Sequence, residues 1–118
     1  MNMIKIYGIK NCSSMKKAFE QLNAQQVAFE FHDYKKQGID LDTLQHWADQ
    51  VGLDVLLNKK GTTWRKFSPE QQAEILSSPH NTLQALHDNT SMIKRPVLVS
   101  DSQILVGFDE NSYQQLKG

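Results

Sequence analysis

The period of the apolar positions changes several times along the chain, and each change marks an element. Ile4 and Ile6 alternate with Lys5 and Tyr7, which predicts a short strand ending at Gly8. Asn11-Cys12-Ser13-Ser14 then supplies small hydrogen-bonding residues where a helix should start. Met15, Ala18, Phe19 and Leu22 follow at the i, i+3, i+4, i+7 spacing of an amphipathic helix. The run from Val27 to His32 predicts a second strand. Strand, helix and strand within about thirty residues is the size of a βαβ unit.

Farther on, helical spacing returns. A helix is expected from near Asp40, with Leu41, Leu44, Ala48 and Val51 on one face and Gly52 past its end. The stretch from Leu56 to Phe67 is less regular and is expected to be a loop with some helical turn. Ser68-Pro69-Glu70-Gln71 carries the signals of a helix start: Ser as cap, Pro first, Gln three residues on. Ile75, Leu76, Leu83 and Leu86 fit one broken helix or two short ones around Pro79. Residues 96–100 and 103–106, joined by Asp101-Ser102, predict a hairpin, and Asp109 caps a short helix bearing Tyr113 and Leu116. The order βαβ, helices, ββα is that of an α/β, thioredoxin-like (glutaredoxin-like) domain with a mixed sheet. That reading makes residues 1–118 one domain, with the core at about 1–35 and 92–118 and a helical insertion at about 40–90.

Composition narrows the function classes. With 118 residues, 39% hydrophobic and 22% charged, the chain is of single-domain size and too apolar to be disordered. Thirteen basic and thirteen acidic residues cancel, so no chain-wide attraction to nucleic acid or anionic membrane is expected. The longest purely aliphatic runs are three residues, and the N-terminal Met1-Asn2-Met3-Ile4-Lys5-Ile6 lacks the apolar core of a secretory signal. One cysteine excludes an internal disulfide and a cysteine-built zinc site, which points to a reducing cytoplasm.

That cysteine is the main candidate for chemistry. Cys12 falls between a strand and a helix, where unpaired first-turn amides and the positive end of the helix dipole favour a thiolate. The hydroxyls of Ser13 and Ser14 can add donors, and Lys10, Lys16 and Lys17 add positive charge. Two readings stand: a reactive nucleophile, or a structural cysteine, since free cysteine is among the most buried residue types. The polar neighbours Asn11, Ser13 and Ser14 are poor core composition and favour the first. Met15 stands three residues on, so there is no C-x-x-C pair, and Ala18 replaces the arginine of a phosphotyrosine-type loop. Any disulfide at Cys12 must then be resolved by an outside thiol such as glutathione.

The cations are grouped in five adjacent pairs: Lys16-Lys17, Lys35-Lys36, Lys59-Lys60, Arg65-Lys66 and Lys94-Arg95. Such pairs are ordinarily solvated surface. Lys94-Arg95-Pro96 differs because it precedes the apolar strand Val97-Leu98-Val99, and an Arg-Pro bond is open to the cis form. In a thioredoxin-like fold this turn faces the cysteine, which aims Arg95 at whatever Cys12 binds, as a fork for a carboxylate or oxyanion. Within Gly61-Thr62-Thr63-Trp64-Arg65-Lys66, Trp64 either lines a groove for a peptide-like ligand or anchors a loop to the core. The four histidines (His32, His46, His80, His87) share no metal-ligand spacing and read as surface or partly packed residues.

Taken together, these segments resemble the arsenate reductase (ArsC) family, which includes the Spx-type regulators, and within it the glutathione-linked YffB-like branch. The carrying residues are Tyr7-Gly8-Ile9-Lys10-Asn11-Cys12, Met15-Lys16-Lys17-Ala18, His32-Asp33-Tyr34, Leu56-Leu57-Asn58, residues 61–66 and Ile93-Lys94-Arg95-Pro96-Val97. The resemblance implies a thioredoxin-like fold with a helical insertion, a nucleophile at Cys12 and an anion-binding Arg95 beside a cis-proline, Pro96. Two departures stand out. Arsenate reductases bring further arginines to the oxyanion, but Asn58 and Gly107-Phe108 occupy those places, and Met15 denies the C-x-x-C switch of Spx-type regulators.

Three functions follow in order. The first is a cytoplasmic oxidoreductase in which Cys12 attacks a disulfide or oxidised substrate and glutathione, a co-substrate rather than a bound cofactor, resolves the mixed disulfide. Asn11, Ser13, Ser14, Lys16 and Pro96 would line the site, and Arg95 with Lys60 or Arg65 would hold a glutathione carboxylate or anionic substrate. The second is an Spx-like adaptor that binds a protein partner such as RNA polymerase. The third is arsenate reduction proper. None calls for a metal, nucleic acid or membrane.

Overall fold

The structure, a computed structural model, describes residues 3–117; Met1 and Asn2, part of the stretch read for a secretory signal, and Gly118 lie outside it. In chain order its elements are β1 (Ile4–Gly8), α1 (Ser13–Ala24), β2 (Phe29–Asp33), α2 (Tyr34–Gln37), α3 (Leu41–Val51), α4 (Leu53–Leu56), α5 (Thr62–Lys66), α6 (Pro69–Ile75) and α7 (Pro79–Asp88). A 3₁₀ turn (Thr90–Met92), β3 (Val97–Val99), β4 (Ile104–Val106) and α8 (Glu110–Gln114) complete it. By their internal contacts they form two compact units: one runs to Gln37 and resumes at Arg95, the other is Gly38–Lys94.

The first unit is built on a four-stranded mixed sheet of order β2-β1-β3-β4, the thioredoxin-like arrangement. β1 pairs parallel with β2, matching Gly8 to Asp33, and antiparallel with β3, matching Tyr7 to Val97. The ends of β1 and β2 and the start of β3 therefore share one end of the sheet. Ile4 and Ile6 of β1, Met15, Ala18 and Leu22 of α1, and Val27, Leu98, Tyr113 and Leu116 form one buried cluster, with α8 packed on α1. Phe19, from the same sequence stripe, stays half-buried and stacks against Phe29 at 5.4 Å and edge-on to Phe31 at 5.2 Å.

The second strand starts two residues later than the sequence pattern suggests. The α1 helix closes on a left-handed Gln26 (φ 58°), with the Gln26 amide bonded to the Asn23 carbonyl and the Val27 amide to that of Leu22. Val27 is thus spent on terminating the helix, its side chain packed in the same cluster as Leu22. The hairpin turns at Asp101-Ser102 as expected, closed by the Ser100 amide on the Gln103 carbonyl at 2.9 Å, but its strands are shorter than the pattern suggests. Asp109 caps α8 through the Ser112 amide, as its position predicts.

In the helical unit, α3 and α6 each pack against α7, which also meets α4 and the 3₁₀ turn. α3 is capped by Asp40 and ends at Gly52 (φ 94°), but it buries Leu44 and Trp47 while Leu41 is 38% exposed. Leu41 is the first helical residue, one position past the cap, and the large Trp47 takes the face expected for Ala48 and Val51. The irregular stretch from Leu56 to Phe67 is a loop carrying one short helix, α5, and the single turn α4 ends as that stretch begins. Ser68 and Gln71 form a complete capping box, and Ser78 caps α7 after a break, so Pro79 divides two helices. α6 itself buries no side chain, and Leu76 is 47% exposed. Trp64 is buried within α5, which takes the anchoring reading over the groove.

Gly8 closes β1 where the chain must pass under α1. A Cβ there would lie 2.3 Å from Met15 Sδ, and Met15 is fully buried with nowhere to swing. Gly8→Ala is expected to cost about 1–3 kcal/mol through overpacking, read as a lower urea midpoint at unchanged slope. In a double-mutant cycle, Gly8→Ala should cost less in a Met15→Ala background than in the wild type, because the side chain it collides with has been removed.

Candidate active site

Cys12 is the N-cap of α1, in extended backbone geometry (φ −146°, ψ 133°), and its carbonyl accepts the first helical bond from the Lys16 amide at 3.0 Å. Its side chain is half-buried. Partial burial pushes the thiol pKa up, but the Met15 amide, the Arg95 side chain and the Ser14 amide pull it down. The three outweigh burial, and the balance falls below the ordinary thiol value. The amides act on the sulfur without closing a regular capping bond, as suits a large, soft acceptor. It is the amide of Ser14, not its hydroxyl, that contributes.

Arg95 reaches the sulfur because β3 holds it there. Tyr7 pairs with Val97, which sets Pro96 and Arg95 just beyond the ladder at the end of the sheet where Cys12 follows β1. The Arg95-Pro96 bond is cis, Pro96 is buried, and the Pro96 carbonyl accepts the Gly107 amide at 2.8 Å. Of the five cation pairs, every member is exposed except Arg95, which is half-buried. Burial separates it from the solvated pairs as its place before the strand predicts.

The other expected residues divide between the two units. A cleft of about 480 Å³ beside Cys12 is lined by Lys10, Asn11, Ser13 and Lys16, and runs along α1 past Phe19 and Glu20 to Asn23. Lys60 and Arg65 belong to the helical unit, where the Arg65 guanidinium donates to the Lys60 carbonyl through Nε at 3.2 Å and also through Nη2. Asn58, at a place where an arginine would mark an arsenate reductase, accepts the Lys60 amide at 3.1 Å. Among the described residues no group of histidine, cysteine and carboxylate side chains could hold a metal. His46 and His80 are exposed, and His87 pairs with Asp88 at 3.0 Å.

Sequence reasoning passed over the far wall of the cleft and one aromatic group. Glu20 and Asn23 stand at i+4 and i+7 from Lys16, itself an expected site residue, and extend it into a polar stripe along α1 that could have been read beside the apolar one. At the shared sheet end, Tyr7 lies 4.7 Å from His32 and 6.4 Å from Tyr34, and His32 and Tyr34 meet edge-on at 6.0 Å. Burial drives the Tyr34 phenol pKa far up, Tyr7 adds to this, and Arg95 opposes it.

Fold and site together define a thioredoxin-like protein with one helix-capping cysteine and an arginine on its sulfur. Residues 7–116 match the ArsC family, and the chain belongs to it. An uncharacterized protein of Haemophilus influenzae is 40% identical over 112 residues, 95% of this chain and 96% of that one. Among solved structures, the YFFB protein superposes with a TM-score of 0.88 at 40% identity, over 94% of this chain and 96% of the other. An arsenate reductase (ArsC) related protein from Brucella melitensis gives 0.76 at 38% identity, over 97% and 96%. The global transcriptional regulator Spx of Staphylococcus epidermidis is a more distant relative, 18% identical over 96% of this chain and 86% of that one.

Because amide and guanidinium donors favour the charged sulfur, the rate of Cys12 alkylation by iodoacetamide should rise with pH through a midpoint below the roughly 8.5 of a free thiol. Arg95→Ala removes a cation from the thiolate and should move that midpoint upward. A wild-type midpoint at or above the free-thiol value would contradict this electrostatic account.

Proposed function

We propose that this protein is a glutathione-dependent thiol oxidoreductase with Cys12 as its nucleophile. The observation that carries the reading is the Arg95 guanidinium and the Met15 and Ser14 amides on a half-buried sulfur whose thiolate they favour. The Cys12 thiolate attacks one sulfur of a disulfide, forming a Cys12 mixed disulfide and expelling the other sulfur as a thiolate, which takes a proton from solvent. A glutathione thiolate then attacks the mixed disulfide, releasing Cys12 as thiolate and carrying away the bound group as a new disulfide. The two electrons come from the external thiols, as they must in a chain with one cysteine. Met15, fully buried against Gly8, fills the place where a resolving cysteine would stand.

Arg95 serves both the thiolate and an anionic group of the incoming partner, and the cleft lined by Asn11, Ser13 and Lys16 receives the rest of it. A lone free thiol and a small-thiol reductant fit a reducing compartment, so we assign the protein to the cytoplasm. No described helix is long and apolar enough to cross a membrane. The Spx relatives support a competing reading, a protein-binding regulator that needs no turnover.

Turnover is tested with a glutathione mixed disulfide as substrate, following glutathione oxidation. Cys12→Ser should abolish activity, and Arg95→Ala should lower kcat/KM about ten- to hundred-fold, the loss of a hydrogen bond to a charged group. A fully active Cys12→Ser protein would overturn the reading; arsenate in place of the disulfide tests the family's namesake reaction in the same assay.

A further inference from the structure

Tyr34 carries an observation that the proposed mechanism leaves unused. Its side chain is buried, 3% exposed, and its hydroxyl has no hydrogen-bond partner among the described residues. A buried hydroxyl left unpartnered is unfavourable and rare in native proteins, and phenylalanine would fill the same space without it. Position gives the hydroxyl a use. Tyr34 follows Asp33, which pairs with Gly8, so it stands at the same end of the sheet as Cys12 and Arg95. The Arg95 guanidinium acts on both the Cys12 sulfur and the Tyr34 phenol, and is thus a common neighbour of the two. Tyr113 also has a buried, unpartnered hydroxyl, but burial alone acts on it, inside the apolar cluster and against Phe108.

We propose that the Tyr34 hydroxyl is a ligand-binding donor of the Cys12 site, binding with Arg95 a carboxylate of the small thiol that resolves the mixed disulfide. The proposal rests on Cys12 as nucleophile and goes beyond it by assigning the site a preference for carboxylate-bearing thiols. Buried as it is, the phenol stays protonated at neutral pH and so remains a donor. Arginine and a neutral hydroxyl on one carboxylate give it two kinds of donor without adding a second charge.

The test is Tyr34→Phe, which keeps the ring and removes only the hydroxyl. With glutathione as resolving thiol, KM should rise about ten-fold, while with 2-mercaptoethanol, which has no carboxylate, it should not change. The thermal midpoint should hold or rise. S-methylglutathione, which cannot form a disulfide, should bind the wild-type protein and bind Tyr34→Phe about ten-fold more weakly. Equal S-methylglutathione affinities, no binding to either protein, or equal KM changes for both thiols would overturn the proposal. Failure of Cys12 as nucleophile shows separately, as turnover that survives Cys12→Ser with 2-mercaptoethanol.

Discussion

The close approach of Gly8 to the Met15 thioether fixes where everything else at the site can stand. A side chain at position 8 would collide with Met15, so β1 could not pass beneath the first turn of α1 at this depth. That passage brings the chain out at Cys12 as the cap of α1, with the first-turn amides beside its sulfur. The sulfur is then half-buried rather than solvated, which alone would disfavour the thiolate. The helix amides and Arg95 reverse that, and Arg95 is in place because β3 lies antiparallel beside β1. One packing constraint and one strand pairing thus determine the charge state of one atom.

The arrangement also explains how a chain without net charge can present a local preference for anions. Nine members of the cation pairs are spread over exposed positions, where water and salt screen them. Arg95 is the half-buried exception, anchored in backbone by Pro96, where a charge acts on its neighbours with less screening. Lys10 and Lys16 line the adjoining cleft, but Glu20 answers them farther along it. The polarity of the site is graded from the sulfur outward.

What could be read from sequence follows how local the determining physics is. The N-cap position of Cys12, the Ser68–Gln71 box and the Asp109 cap depend on residues three or four apart, and all three were legible. The end of α1 was not, because Gln26 is an unremarkable residue forced into a left-handed turn by hydrogen bonds from both sides. The helix α2 was missed since it follows β2 with no glycine or proline between; the Asp33 carboxylate, accepting the Lys35 amide at 3.0 Å, turns the chain. α4 and α5 are too short to show a period. Cys12 and Arg95 were recognisable by their neighbours, whereas Tyr34 looks like an ordinary core aromatic until its hydroxyl is found to lack a partner.

A single thiol with a methionine in the neighbouring position has a consequence in how oxidation is stored. A chain with two facing cysteines records an oxidising event internally, by losing hydrogen and closing a ring, with no change in what is attached to it. This chain has no such option. Each disulfide it forms adds another molecule, so its oxidised forms are heavier, differently charged and as varied as the thiols around it. The identity of the adduct, and not merely its presence, becomes information displayed on the surface beside α1.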